Sequence, residues 1–198
     1  ERKRLFRIKD YLKTNKTLKN NDIIYLNKLA KKYKIHSKNK HKVDLVNELL
    51  QSVDIIPNSI VLAQAANESG WGTSRFALEG NALFGQWTWS KKGISPENKD
   101  PNKTHKVLMF QVLKASVRAY KNNLNTHNAY SEFREVRAQL REEKREITGL
   151  DLTKYLKNYA AIGDKYVEIL EDIIRKNSLT DFDKADLLST KLKKGIAL

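Results

Sequence analysis

The chain has 198 residues, no cysteine, 38 Lys and Arg against 23 Asp and Glu, and 40% hydrophobic residues, which is one domain's worth of chain with room for an appendage. No apolar run approaches the ~20 residues of a membrane span, and without cysteine there is no disulfide framework, no thiolate nucleophile and no cysteine-ligated zinc or iron–sulfur cluster. A net charge of +15 attracts nucleic acid, anionic lipid and anionic wall polymers alike, without choosing among them.

Residues 1–56 carry 15 basic and 6 acidic side chains, a net +9, and contain neither Gly nor Pro. The opening Glu1-Arg2-Lys3-Arg4-Leu5-Phe6-Arg7 is basic with no apolar stretch behind it, so no signal peptide is visible. Helices are expected here. Asn21-Asp22 reads as an N-cap for a helix with Ile23, Leu26, Leu29, Ala30 and Tyr33 on one face, and Val43, Leu45, Val46, Leu49 and Leu50 form another after the polar link at 37–42. Pro57 marks a boundary. The run Ile60-Val61-Leu62-Ala63, followed by Ala65-Ala66, predicts a buried helix over 58–69 that Gly70 stops. Between residues 70 and 93 lie five of the eight glycines and all three tryptophans, with Pro96 and Pro101 behind them, which is loop and turn chemistry bearing aromatic side chains. Residues 105–112 predict a short strand, paired with one near 83–88. Helices follow over 116–127, 131–145, 152–159 and 164–177. The expected fold class is α+β, mostly α, with a basic helical N-terminal extension (1–56), a main domain (57–177) and a C-terminal helix or tail (178–198).

The sharpest local anomaly is Glu68. It closes a helix whose preceding residues are apolar and is followed by Gly70 and Trp71. The negative end of the helix dipole and the low dielectric of an indole both favour the protonated carboxyl, which is what a general acid needs. On spacing alone the structural reading weighs more, a carboxylate held by backbone amides or by Arg75. Around Glu68 stand Trp71, Phe84, Trp87 and Trp89, with the amides of Gln64, Asn67, Asn81 and Gln86. Flat aromatic faces interleaved with planar donors and acceptors suit a sugar. Composition alone reads Trp71 and Phe84 as core, whereas Trp87 and Trp89, two apart beside Thr88, leave at least one indole exposed.

The stretch Val61-Leu62-Ala63-Gln64-Ala65-Ala66-Asn67-Glu68-Ser69-Gly70-Trp71-Gly72-Thr73-Ser74-Arg75-Phe76, continued by Glu79-Gly80-Asn81-Ala82-Leu83-Phe84-Gly85-Gln86-Trp87, resembles the glucosaminidase domain of glycoside hydrolase family 73 (mannosyl-glycoprotein endo-beta-N-acetylglucosaminidase-like). It is most similar to the Bax-type branch, and also to the flagellar peptidoglycan hydrolase module. The resemblance continues through Ser116 to Tyr120, Asn123 to His127, Ala129-Tyr130, Tyr159-Ala160 and Tyr166, covers about 57–177, and reverses the weighting on Glu68. It implies a lysozyme-like fold with a groove between a helical body and a small β-lobe, and hydrolysis of the β-1,4 bond after N-acetylglucosamine in peptidoglycan. Glu68 matches the family's catalytic acid and Tyr159 a tyrosine of its active site. Gln64, Asn67, Trp71, Asn81, Phe84, Gln86, Trp87, Trp89 and Tyr166 are the expected substrate contacts.

One departure stands out. Many members of the family it resembles carry a second carboxylate in a Thr-x-Glu type of segment, where this chain has Thr104-His105-Lys106. An inverting base stands ~6.5 to 9.5 Å from the acid and a retaining nucleophile about 5 to 5.5 Å away, and a lysine serves neither purpose. Three readings are open: Glu97 or Asp100 substitutes as a catalytic group, the substrate's own 2-acetamido group is the nucleophile, or activity is weak. The four histidines lack metal-ligand spacing, and neither a metal nor a cofactor is expected. The expected partners are peptidoglycan glycan strands and an anionic cell-envelope surface, met as a monomer outside the cytoplasmic membrane. Competing readings are a lytic transglycosylase or muramidase, a glycan-binding module without catalysis, and, ranked last for want of a reader motif, a nucleic-acid binder.

Overall fold

Leu, Ile and Ala recur at helical spacing through the first quarter of the chain, and those stripes close on one another. In a computed structural model, which describes residues 1–14, 17–91, 93–95 and 106–185, α1 (Arg2–Lys13), α2 (Asn20–Lys32) and α3 (Lys42–Ser52) bury Leu5, Ile8, Leu26, Leu29, Leu45 and Leu49 in a core of their own. Asp22 sits in the first turn of α2 rather than capping it and accepts from Arg4 Nε and Nη2 at 3.1 and 2.8 Å, which ties α1 to α2.

This layer is fastened to the rest of the molecule by buried charge. Arg137, with no exposed surface, donates to the carbonyls of Ile55 (2.5 Å) and Gln51 (2.7 Å) and to Asn125 Oδ1 (2.8 Å). Burial pulls its guanidinium down to about 10, because desolvation penalises the charged form. Asp54 beside it is nearly buried and pairs with Arg2 at 3.2 Å and Arg141 at 3.1 Å.

The larger core surrounds α4 (Asn58–Ser69), with α6 (Leu113–Thr126), α7 (Ser131–Glu142), α8 (Gly149–Leu152) and α9 (Asp164–Lys176) about it. Ile60, Ala63, Phe84, Tyr120, Phe133 and Leu170 are among its buried members. A 3₁₀ helix, Thr153–Tyr159, leads from α8 towards α9, and another, Leu179–Lys184, packs on α4. Pro57 precedes α4 and no side chain of its own first turn caps it. The cap comes from Asp183, which accepts from Ser59 N (2.8 Å), Ser59 Oγ (2.7 Å) and Gly149 N (2.9 Å). Only glycine fits at 149, since a Cβ there would lie 2.1 Å from Ser59 Oγ.

The small lobe between α4 and α6 holds α5 (Arg75–Gly80) and a three-stranded antiparallel sheet, β1 (Trp87–Thr88), β2 (Gly93–Ile94) and β3 (Lys106–Leu108), in the order β1-β3-β2. Trp87 lies opposite Val107 and Thr88 opposite Lys106. The lobe returns to α5 through Phe110 N donating to Gly80 O (2.8 Å) and Asn81 Nδ2 donating to Phe110 O (3.0 Å).

The architecture is therefore α+β and mostly α, as expected, and the strand at 105–112 and its partner near 83–88 are present in shortened form. Two details differ. The α4 helix buries only one stripe and leaves Leu62 exposed on the other, because its apolar run continues round the helix. The α5 helix lies where a loop is expected; Ser74 caps it through its side chain, which accepts from Ala77 N. Within the C-terminal segment, expected as a helix or a tail, Leu179–Lys184 is a 3₁₀ helix with a capping duty. Among the described residues no helix is long and apolar enough to cross a membrane.

Candidate active site

Glu68 stands in the last turn of α4, where the chain leaves the helix abruptly. Gly70, Trp71 and Gly72 have φ of +57°, +58° and +80°. Two of these are glycines, which adopt the left-handed region freely, but a tryptophan there costs about 1 to 2 kcal/mol. The surroundings hold it: Trp71 N donates to Ala66 O at 2.8 Å, Ser69 Oγ donates to Ala65 O at 2.5 Å, and Gly72 N donates to Ser69 Oγ at 2.8 Å. The result is an indole 65% exposed immediately beside the carboxylate's helix end.

The Glu68 side chain is partly buried. Its Oε1 accepts from Tyr166 Oη at 2.8 Å and from Asn67 Nδ2 at 3.2 Å. Its Oε2 faces the turn at Gly85, where a Cβ would sit 3.4 Å away; Gly85 has φ +57°, so glycine serves both the turn and the open space in front of the carboxylate. Arg75 is engaged elsewhere, at 3.6 Å from Glu79 and donating to Ser95 O at 2.8 Å.

Behind Glu68 is a set of four tyrosines from four elements of the helical body. The rings of Tyr159 and Tyr166 stack at 5.7 Å with 4° between planes, Tyr130 lies 6.2 Å from Tyr159, and Tyr120 stacks on Phe84 at 4.0 Å. Burial first, and the Glu68 charge after it, push the phenols of Tyr159 and Tyr166 well above their ordinary range; burial does the same to Tyr120 and raises Tyr130. All four are therefore neutral hydrogen-bonding groups at physiological pH. Tyr159 Oη donates to Phe84 O at 3.0 Å, which fastens the turn leading to the β-lobe onto the helical body.

The expected site residues thus fall into groups. Glu68, Asn67, Tyr159 and Tyr166 come together. Gln64 is fully buried, accepting from Tyr120 Oη (2.5 Å) and donating to Tyr166 Oη (2.8 Å), and Tyr166 is buried with it, its hydroxyl on Glu68 Oε1; neither side chain is exposed at the surface. Phe84 is core, whereas Trp71 is exposed, against the expectation from composition. Trp87 and Trp89 are both exposed, at 62% and 72%. Gln86 is partly buried and its Oε1 has no hydrogen-bond partner, while Asn81 is occupied by Phe110 O. Lys106 lies across from Thr88 in β3. Glu97 and Asp100 lie outside the described residues. Tyr120 and Tyr130 were not foreseen as part of the site: a tyrosine on a helix reads as ordinary core, and their one signal was a place in the resembling segments. Among the described residues no cluster of His, Asp and Glu is arranged to hold a metal ion.

The family described as Glucosaminidase, mannosyl-glycoprotein endo-beta-N-acetylglucosaminidase, matches residues 43–179. The chain belongs to this family. It is also 42% identical over 153 residues, 77% of its length, to the protein described as Protein bax from Escherichia coli (strain K12), consistent with the Bax-type branch. The chain spans about half of that relative, 54% of its length. No solved structure matches it. The family match begins inside α3, ahead of Pro57, and ends where the capping 3₁₀ helix begins. Membership supports a role in glycan hydrolysis, and Glu68 with its tyrosines lies within the matched span.

Proposed function

We propose that this glucosaminidase hydrolyses the β-1,4 bond after N-acetylglucosamine in peptidoglycan, with Glu68 as general acid. The observation that carries the reading is the Glu68 carboxyl itself: partly buried at a helix end, held through Oε1 by Tyr166 at 2.8 Å and open towards Gly85 through Oε2. In the reaction Glu68 gives its proton to the glycosidic oxygen, the bond from that oxygen to the anomeric carbon breaks, and water supplies the new hydroxyl there. The Tyr166 hydroxyl then stabilises the carboxylate that forms, a donor aimed where negative charge develops. Trp71, Trp87 and Trp89 offer faces for the sugar rings. Tyr159 supports the reacting centre by holding the Phe84–Gly85 turn in place.

With a lysine at 106, attack by the substrate's 2-acetamido oxygen on the anomeric carbon is the route that needs one acid only, and it gives retained configuration; water activated by Glu97 or Asp100 gives inversion. The substrate places the working protein outside the cytoplasmic membrane, and the positive charge of residues 1–56 concentrates it on an anionic envelope. The test is mass spectrometry of the soluble products released from purified sacculi. Fragments with reducing N-acetylglucosamine ends support the reading. Anhydromuramic ends would make the protein a transglycosylase, and binding to sacculi without release would make it a glycan-binding module.

A further inference from the structure

Below Glu68 runs a continuous line of hydrogen bonds that the acid reading alone does not require. Tyr120 Oη meets Gln64 Oε1 at 2.5 Å, Gln64 Nε2 meets Tyr166 Oη at 2.8 Å, and Tyr166 Oη meets Glu68 Oε1 at 2.8 Å. Tyr120, Gln64 and Tyr166 are all essentially without exposed surface. A phenol has one proton to give, and an amide presents a donor on one side and an acceptor on the other. With the Gln64 carbonyl towards Tyr120, every proton along the line is used once and all point the same way, towards Glu68. With the amide turned over, the Tyr120 proton would face an N–H, and the single proton of Tyr166 would be contested between the Gln64 carbonyl and Glu68. Leaving a buried donor unmet is the more expensive arrangement, so the amide holds one orientation.

We propose that Gln64 is a positioning residue that, oriented by Tyr120, commits the Tyr166 proton to Oε1 of Glu68, so that the transferable proton of the acid is carried on Oε2, the oxygen facing Gly85. This rests on Glu68 as the acid and adds which of its oxygens acts and what decides it. Serial donation polarises each bond in the line, so a change at Tyr120 is felt at the Glu68 carboxyl. The groups facing Glu68 from the elements packed on it are the phenols of Tyr159 and Tyr166, with Tyr120 and Tyr130 behind them. All are neutral, which leaves the direction of their hydrogen bonds as the means of control.

The experiment is kcat and KM on sacculus-derived glycan for the wild-type chain, Tyr166→Phe and Tyr120→Phe, with the Glu68 carboxyl ¹³C resonance recorded beside them at one fixed pH. Both variants keep their rings, and therefore the core packing. The Glu68 resonance moves in Tyr166→Phe and by a smaller, measurable amount in Tyr120→Phe, although Tyr120 does not touch Glu68. In both, kcat falls with KM unchanged. A resonance that moves in Tyr166→Phe and stays at the wild-type position in Tyr120→Phe overturns the proposal, as does one that moves in neither. The spectrum reads the line of hydrogen bonds whether or not Glu68 is the acid; failure of that reading shows separately, as hydrolysis that survives Glu68→Gln.

Discussion

The helix that delivers Glu68 is secured at its opposite end by a residue beyond the family match, and that arrangement can be tested quantitatively. Asp183→Ala removes a carboxylate that accepts three hydrogen bonds of 2.7 to 2.9 Å, from Ser59 N, Ser59 Oγ and Gly149 N. Loss of an N-cap alone costs about 0.5 to 2 kcal/mol, and hydrogen bonds to a charged group contribute about 1.5 to 3 kcal/mol each when they stand alone. They are not additive here: all three share one side chain, and water reaches the half-exposed Asp183 position and re-solvates part of what is lost. The expected destabilisation is about 2 to 3 kcal/mol. With a urea dependence of about 2 to 3 kcal/mol per molar, the midpoint falls by about 1 M at unchanged slope. Asp183→Asn, which keeps an acceptor without the charge, loses about half as much. Because Glu68 is at the far end of α4, kcat of the folded variant stays at the wild-type value. A loss below about 0.5 kcal/mol, the range of an ordinary surface change, would refute the view that α4 is capped from the C-terminal segment.

Three further outcomes are expected. Arg137→Met leaves the carbonyls of Gln51 and Ile55 and the Asn125 side chain without their buried donor and lowers stability by about 3 to 5 kcal/mol; a urea midpoint equal to wild type would contradict the fastening of the N-terminal helical layer to the larger core through this cation. The phenols of Tyr120, Tyr159 and Tyr166 are raised in the folded state by burial, so the unfolded chain gives up these protons first. Stability is accordingly whole below about pH 10 and lost as the pH rises past it, with phenolate absorbance and helical circular dichroism changing in one step; buried phenolates forming near pH 10 with the helices intact would count against it. Gly85→Ala places a methyl 3.4 Å from Glu68 Oε2 on a backbone at φ +57°, costing about 1 kcal/mol in stability and about tenfold or more in kcat, read by melting and steady-state rates; an unchanged kcat would show that the space before Oε2 is not used.

Much of this was legible because Glu68 and its helix lie in one local stretch. Gln64 to Trp71 carry a helix face, a stop at Gly70 and a carboxylate in one reading frame, and the periodicity of α2, α3 and α9 declares itself in their apolar stripes. What was not legible depends on partners distant along the chain. Tyr120 and Tyr130 read as core until the fold brings them behind Glu68, and nothing near Asp183 announces a helix start at Ser59. The same holds for Gln64, whose position on α4 was plain but whose placement beneath the carboxylate depends on Tyr166 arriving from α9. The α5 helix was hidden by its glycine-rich flanks, which resemble a loop until Ser74 caps the turn. The second carboxylate that the resemblance leads one to expect has Lys106 at its place, and Glu97 and Asp100, its expected substitutes, lie outside the described residues.

Proton transfer from Glu68 to the leaving oxygen is the step on which the proposed function depends. The direct measurement is the rate of product release from sacculi by Glu68→Gln beside wild type, at equal sacculus binding and with matching circular dichroism. The account predicts a loss of about 10² to 10⁴ in rate with binding retained, and release by Glu68→Gln at the wild-type rate would contradict it.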